Sequence, residues 1–331
     1  MIRYINFLRV IALISIILLH TATGLDTIIL NNDEFSNITK FIRSITVIAV
    51  PIYVFISGTI FLSPKKDSSY PILIRKYIKR IFFILLIFAL PASIAESAIA
   101  HSNIDIFTNS LTNWITGNSW AHFWYLYMLI CLYMITPIIK PFVIKSSNKE
   151  LATALIYLFI LSSLLPTLKA IGIPIKSYME IGTPFIFMYI LGYALHWRDF
   201  NIDFLKNYKF LLFFIVILWI FTFSILFFSN QSISYSNPIR IFLAAAIFLL
   251  AKNLNLSSKL TDKLSIYCFG AYITHAFFIN MTYKIFKITP LNILDGKHLI
   301  ISYILFGTIF IILSFTSAYI LKRTPFIKRF I

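Results

Sequence analysis

The sequence predicts an all-α integral membrane protein, with about ten transmembrane helices in one bundle and both termini in the cytoplasm. The 331 residues are 59% hydrophobic and only 12% charged, and the mean hydropathy is +0.86. This composition is too apolar for a water-soluble domain. The apolar stretches are continuous rather than alternating, which argues against a β-barrel. The basic residues, finally, concentrate on one side of the predicted membrane.

Ten apolar segments have the length, or nearly the length, of a membrane-spanning helix. In chain order they are residues 5–24, 44–63, 81–100, 122–139, 151–168, 178–197, 210–229, 238–252, 264–283 and 299–321. The eighth segment is short, so we expect its helix to extend beyond these bounds. The connections are too short for a soluble domain, so residues 1–331 are predicted to form a single polytopic membrane domain.

Charge gives the predicted orientation. The chain has 29 Lys and Arg residues against 12 Asp and Glu, for a net charge of +17. If the N-terminus is cytoplasmic, most of the basic residues fall in cytoplasmic connections and termini, as the positive-inside rule requires. Topology therefore accounts for most of the net charge, and a nucleic-acid partner is not expected. Cys131 and Cys268 fall inside predicted helices, which predicts neither a disulfide nor a metal site.

The first helix carries two ionisable residues, Arg9 and His20, within a membrane-length apolar run. Such residues are costly in lipid and usually mark a functional site. Eleven positions separate them, so they share one helix face and lie roughly 16 Å apart along its axis. His20 suits proton removal from a hydroxyl group, and Arg9 suits an anion. Two structural alternatives stay open, a histidine used for packing and an arginine that reaches the membrane interface.

The third helix begins with a basic cluster, Arg75-Lys76-Tyr77-Ile78-Lys79-Arg80. Four cations in six residues predict a site for a polyanionic cytosolic ligand, with anionic lipid as the alternative ligand. Arg80 is the better ligand candidate because it begins the apolar run. Glu96, near the outer end of this helix, is expected to be buried and to pair with Arg240 or a histidine.

Three further helices carry weaker signals. Val50 to Gly58 combines a proline with a Ser-Gly pair, which is typical of a kinked and tightly packed helix. The fourth helix opens with His122-Phe123-Trp124-Tyr125-Leu126, an aromatic sequence typical of a membrane interface. The ninth segment runs through Ser265 to His275, whose imidazole either packs in the core or lines a cavity.

These motifs, in this order, resemble those of membrane-bound acyltransferase family 3, the bacterial cell-surface O-acyltransferases. The family's signature of Arg, ten residues and His corresponds to Arg9 and His20. The other four motifs correspond to Val50 to Gly58, Arg75 to Arg80, His122 to Leu126, and Ser265 to His275. The basic stretch has lysines where many relatives have arginines, and the late motif has three extra residues after Ser265. The chain ends at Ile331 and resembles the stand-alone type, without a periplasmic extension.

The resemblance implies an O-acyltransferase of the bacterial cytoplasmic membrane. Its donor would be a cytosolic acyl-CoA, most often acetyl-CoA, and no cofactor or metal would be bound permanently. Its acceptor would be a sugar hydroxyl of a surface polysaccharide or of a lipid-linked precursor. The acyl group, acetyl or succinyl, the acceptor glycan and the oligomeric state stay open.

The resemblance also implies roles for individual residues. His20 would act as the general base or be transiently acylated, with Arg9 in the same catalytic site. CoA would be bound by Arg75, Lys76 and Arg80. Weaker candidates for substrate binding are Ser57, Glu96, Trp124 and His275, and Ser57, Trp124 and His275 are also candidate donors to an oxyanion.

A transporter is the alternative function, either a flippase of a lipid-linked sugar or an exporter of a small anion. Kinked helices with buried His, Arg and Glu residues also occur in transporters. The sequence shows no inverted repeat and no matching pair of broken helices, which favours the enzyme.

Overall fold

The structure of the chain, a computed structural model, describes residues 2–24, 33–100, 106–120, 122–228, 233–293, 298–325 and 327–331. Every regular element in these ranges is helical, which confirms the all-α class. The principal helices are α1 (Arg3–Thr23), α2 (Asp33–Thr46), α3 (Ala49–Phe61), α4 (Tyr70–Ala98), α5 (Ile106–Thr116), α6 (Trp124–Lys145), α7 (Asn148–Ala170), α8 (Phe185–Trp197), α9 (Tyr208–Phe228), α10 (Pro238–Asn253), α11 (Cys268–Asn280) and α12 (Leu299–Arg323). The predicted end of the seventh span, residue 229, lies outside the described residues.

Seven segments within the described ranges are long and apolar enough to cross a membrane. They are Arg3–Thr23, Asn37–Phe61 (α2 with α3), Tyr70–Ala98, Trp124–Lys145, Asn148–Ala170, Tyr208–Phe228 and Leu299–Arg323. The other three predicted spans coincide with the shorter helices α8, α10 and α11, of 13, 16 and 13 residues. A 13-residue helix is roughly 20 Å long, less than the hydrocarbon core of about 30 Å. The count of ten and the cytoplasmic termini therefore stay predictions.

Helix α1 lies at the centre of the bundle, where it contacts α2, α3, α10, α11 and α12. Its buried residues, among them Leu8, Leu13 and Ile17, cover most of its circumference, and one face, with Phe7 and Ile14, is partly exposed. A helix that is buried on most sides belongs to the interior of a bundle rather than to its lipid-facing surface. The two ionisable residues of α1 are therefore placed among protein neighbours.

Helices α3 and α8 make the closest packing between helices, and glycine permits it. A Cβ atom on Gly58 would overlap the Tyr189 backbone carbonyl, and one on Gly192 would overlap the backbone of Phe55. The Thr59 hydroxyl donates a hydrogen bond to the Gly192 carbonyl at 2.7 Å. Gly58 of the predicted Ser-Gly pair packs tightly here, whereas Ser57 lines a cavity described below.

Helix α4 contains two π-helical turns, Leu73–Ile78 and Leu85–Ala89. A π-helical turn adds a residue to the turn and changes the direction in which later side chains point. On this helix Tyr77 and Arg80 face an internal cavity, whereas Arg75 and Lys76 are exposed. The local helix geometry therefore divides the basic cluster between two environments.

Candidate functional site

An internal cavity of about 300 Å³ is enclosed by α1, α3, α4, α6 and α11. Arg9 enters it from α1 and Arg80 from α4. Five tyrosines also line it, namely Tyr53, Tyr77, Tyr125, Tyr133 and Tyr272. Two guanidinium groups and several phenol hydroxyls in an otherwise apolar bundle form a site suited to an anionic, polar ligand.

Neighbouring groups contact the backbone of Arg9 and hold the guanidinium of Arg80. The Tyr53 hydroxyl donates to the Arg9 backbone carbonyl at 2.9 Å. Arg80 donates from Nε to the Phe330 carbonyl at 2.6 Å, and its guanidinium carbon lies 4.9 Å from the centre of the Phe269 ring. Because a guanidinium has five N–H donors, this single bond fixes Arg80 without using up its capacity to bind an anion.

Lys66 lies at the rim of the cavity, in the connection between α3 and α4. Its Nζ is 3.5 Å from the centre of the Phe61 ring and 4.4 Å from that of Tyr77, and both rings line the cavity. Lys140 donates from Nζ to the Lys66 backbone carbonyl. Two lysines from different parts of the chain therefore meet beside two rings that line the cavity.

The electrostatic environment of Lys66 confirms that cations converge at this rim. Burial lowers the pKa of Lys66 to about 8, and the charges of Lys76, Arg9 and Lys140 lower the pKa further in the same direction. A lysine loses affinity for its proton beside other cations because the charged form is repelled. The rim is consequently an electropositive site for an anion.

The predicted CoA-binding residues are thus divided. Arg80 lines the cavity, whereas Arg75 and Lys76 are exposed and do not line it. Lys76 remains near the rim, with its Nζ 5.7 Å from the centre of the Tyr77 ring. Sequence reasoning missed Lys66 and Lys140, because in the sequence each is one of many positive charges in connections predicted to be cytoplasmic.

Three histidines from distant parts of the chain lie together near the other end of α1. The ring centre of His20 is 5.2 Å from that of His275 and 6.4 Å from that of His122, and the latter two are 4.8 Å apart. His122 and His275 are buried, at 3% and 0% exposure, whereas His20 is partly exposed. In the described part of the chain, no group of three His, Cys, Asp or Glu residues is arranged to hold a metal ion. Imidazoles exchange protons near neutral pH, so proton transfer is chemistry open to this cluster.

His122 is the member of this cluster that sequence reasoning did not place in the site. Its ring packs 4.0 Å from that of Phe123, and its backbone carbonyl accepts a hydrogen bond from the Tyr272 hydroxyl. One signal was available in the sequence. With helices of alternating direction, His20 near the end of the first span and His122 at the start of the fourth lie at the same membrane depth.

Tyr272 lies between the cavity and the histidine cluster. It lines the cavity, and its ring centre is 5.6 Å from that of His122, 5.7 Å from that of His275 and 5.8 Å from that of Tyr125. His20 does not itself line the cavity. The structure therefore brings Arg9 and His20 into neighbouring parts of one site, separated by tyrosine rings.

Ser57 and Trp124 occupy different environments. Ser57 lines the cavity and donates from its hydroxyl to the Tyr53 carbonyl at 2.9 Å. Trp124 does not line the cavity and packs against Phe185 and Tyr235, with ring centres 5.6 and 5.1 Å away. Of these two candidates, only Ser57 lies beside the predicted ligand.

The expected partner of Glu96 is corrected by the structure. Glu96 forms an ion pair with Lys284, with 3.0 Å between Glu96 Oε1 and Lys284 Nζ. The Glu96 side chain is 43% exposed rather than buried. Arg240 instead donates to the carbonyls of Val47 and Ile233. Glu96 pairs with Lys284 because the two residues lie next to each other in the fold. Both line a separate apolar groove of about 560 Å³ beside α4, α11 and α12.

Comparison with known families gives one match. The model of acyltransferase family 3, described as "Acyltransferase domain", matches residues 2–323. No curated protein and no solved structure matches the chain. The matched range contains every lining residue of the cavity and all three histidines of the cluster.

Proposed function

Because the chain belongs to acyltransferase family 3, we propose that it transfers an acyl group, in the first place acetyl, from cytosolic acyl-CoA to a sugar hydroxyl. The acceptor is a cell-surface polysaccharide or its lipid-linked precursor, and the protein works in the bacterial cytoplasmic membrane. The observation that carries this proposal is a cationic cavity next to a cluster of imidazoles inside a membrane bundle. Membership of an acyltransferase family favours the enzyme over a transporter.

The donor is proposed to bind with its phosphates among Arg9, Arg80 and Lys66. Arginine and lysine at a partly dry rim bind phosphate through charge-assisted hydrogen bonds. The thioester then extends along α1 towards His20, over the roughly 16 Å of helix that separates it from Arg9. For this path to open, the rings of Tyr125 and Tyr272 move apart when the donor binds.

His20 is proposed as the general base, since it is the one partly exposed histidine of the three. It takes the proton of the acceptor hydroxyl while the oxygen attacks the thioester carbonyl, which forms the ester C–O bond. The C–S bond then breaks, and the proton passes to the leaving thiolate, so that CoA leaves as a thiol. Ser57, which lines the cavity, is the candidate donor to the oxyanion, a role in which its hydroxyl rotates away from the Tyr53 carbonyl to which it donates in the structure.

The test uses the purified protein in lipid nanodiscs with radiolabelled acetyl-CoA and a membrane glycan fraction. We expect His20→Ala to lower kcat by about 10³-fold, within the range for loss of a general base. His298→Ala is the matched control, because His298 is exposed and lies outside the cluster. Release of the CoA thiol and label in the glycan are measured together.

Two outcomes would contradict the proposal. Unchanged transfer by the His20→Ala protein would remove the catalytic role of His20. Movement of a lipid-linked sugar by the wild-type protein, without any consumption of acyl-CoA, would instead favour the transporter.

A further inference from the structure

His275 is a buried group to which the general-base step assigns no role. It lies on α11, is 0% exposed, and faces the rings of His20 on α1, His122 before α6 and Tyr272 on its own helix. Its chemistry therefore depends on these three neighbours.

A hydrogen bond fixes the tautomer of neutral His275. Its Nδ1 lies 2.6 Å from the Tyr272 backbone carbonyl oxygen. A carbonyl oxygen only accepts hydrogen bonds, so Nδ1 carries the hydrogen and Nε2 keeps its lone pair. The same bond leaves neutral His275 without an N–H for an oxyanion, so we do not assign it that role.

The free lone pair of His275 Nε2 lacks a partner. This atom is buried and has no hydrogen-bond partner in the described structure. A buried acceptor without a donor is costly, which indicates a donor supplied in another state of the site. His122 lies 4.8 Å away, and neither of its ring nitrogens has a partner in the described structure, but it is buried away from any substrate. The ring of His20 beside His275 is partly exposed, so its N–H is the donor that a substrate can bring into place.

The separation of the two rings fits a hydrogen bond after a small rotation. A straight N–H···N bond of about 3 Å between imidazoles puts their ring centres roughly 5 Å apart. The observed separation between His20 and His275 is 5.2 Å, with the planes tilted by 43°. Catalytic hydrogen bonds are often poorly aligned without substrate and tighten when it binds.

We propose that His275 is a positioning residue whose Nε2 accepts a hydrogen bond from the His20 N–H when the substrates bind. This bond leaves the lone pair of the other His20 nitrogen directed at the acceptor hydroxyl. When His20 takes the hydroxyl proton, the same N–H···N bond stabilises the imidazolium until the proton passes to the CoA thiolate. The inference rests on the proposed function, with neutral His275 in the place that a carboxylate takes in other histidine bases.

Two substitutions separate this role from simple packing. In His275→Asn the amide N–H₂ reaches the Nδ1 position and can keep the bond to the Tyr272 carbonyl, but no acceptor reaches His20. In His275→Gln the amide oxygen reaches the Nε2 position and can still accept from His20. A positioning role predicts that the Gln variant outperforms the Asn variant, and a packing role predicts the reverse.

The experiment measures kcat, the KM for acetyl-CoA and the pH–rate profile of both variants in nanodiscs. We expect His275→Asn to lose about 100-fold in kcat with the donor KM nearly unchanged, and His275→Gln to stay within about 10-fold of wild type. In His275→Asn the acid limb of the profile should also move to lower pH, because the imidazolium has lost its acceptor. Binding of desulfo-CoA, which lacks the reactive sulfur, reports whether each variant is folded.

Several results would overturn the inference. One is an Asn variant with wild-type kcat and an unmoved profile, and another is a Gln variant as inactive as the Asn variant although it binds desulfo-CoA. Loss of desulfo-CoA binding in both variants would show that His275 serves the fold, which also contradicts a positioning role. If His20→Ala abolishes transfer while His275→Asn does not, the proposed function stands and only this inference fails.

Discussion

Lys66 shows how the surroundings of a single residue change its chemistry. Lys65 and Lys66 are adjacent, yet Lys65 is exposed whereas Lys66 is partly buried against Phe61 and Tyr77. Burial lowers the pKa of Lys66 to about 8. The charge of this side chain consequently changes within a range of pH that is accessible to experiment.

Donor binding should therefore weaken as pH rises. Below about pH 7 Lys66 is charged, and as pH rises through about 8 it loses its proton and with it the attraction for phosphate. We expect the dissociation constant for desulfo-CoA to rise several-fold between pH ~7 and ~9. Isothermal titration calorimetry in nanodiscs measures it without interference from the catalytic step.

Variants of the two lysines test whether Lys66 is responsible. Lys66→Arg should bind desulfo-CoA with little pH dependence, since arginine stays charged. Lys66→Gln should bind weakly at every pH, and Lys65→Gln should behave like wild type. An equal effect of the Gln substitution at both positions would show that only general positive charge matters.

The histidine cluster could be predicted from the sequence only in part. The spacing of Arg9 and His20 was readable from the sequence because both lie on one helix. The pairing of His20 with His122 and His275 was not, because more than a hundred residues separate each pair of helices that meet there. Contacts between distant segments depend on packing rather than on spacing.

At the scale of elements, the contact between α3 and α8 positions one wall of the cavity. Tyr53 and Ser57 on α3 line the cavity, while Gly58 and Thr59 on the same helix pack against α8. A backbone-to-backbone approach of this kind leaves no room for an added methyl group, and the obstacle is a carbonyl that cannot turn aside.

Gly58→Ala should accordingly destabilise the protein by about 3 kcal/mol or more, because its Cβ would overlap the Tyr189 carbonyl. Thermal unfolding of the detergent-solubilised protein measures the change in Tm. The reactivity of the buried Cys268 thiol reports the unfolded fraction. Gly172→Ala is the comparison, since a Cβ there meets nothing within 4 Å and only the backbone φ of +99° opposes it. Equal losses at the two positions would contradict the packing explanation.

The short helices explain why length alone gives seven spans where ten were predicted. Helices α8, α10 and α11 are mostly buried. Protein neighbours can satisfy the backbone groups at the ends of such helices, so they need not match the full thickness of the hydrocarbon. Their apolar sequence predicts three further membrane helices, although their length does not.

For the molecule as a whole, ten spans place the connection 62–69 in the cytoplasm and the connection 171–184 outside. In a protein with Cys131 replaced by Ser, we expect Ser69→Cys to react with an impermeant maleimide only from the cytoplasmic side. Ser177→Cys should react only from the opposite side. Both original serines are exposed, so failure to react is not due to burial.

Labelling is compared in right-side-out and inside-out membrane vesicles. Reaction of both cysteines from the same side would mean that an odd number of the three intervening segments fails to cross, and the count of ten would be wrong. Reaction of each from the side opposite to that expected would reverse the orientation inferred from the basic residues.

The sequence by itself determined the all-α membrane class, the location of each apolar helix, and the family, through motifs that need only local spacing. Composition and helical periodicity carry this information because the bilayer imposes them on each segment separately. Only the tertiary structure decided which cations of the basic cluster face the cavity, that Lys66 lies against two aromatic rings that line it, and that three histidines meet. These juxtapositions arise from packing between helices remote in sequence, and no single segment contains the geometry that its partners impose.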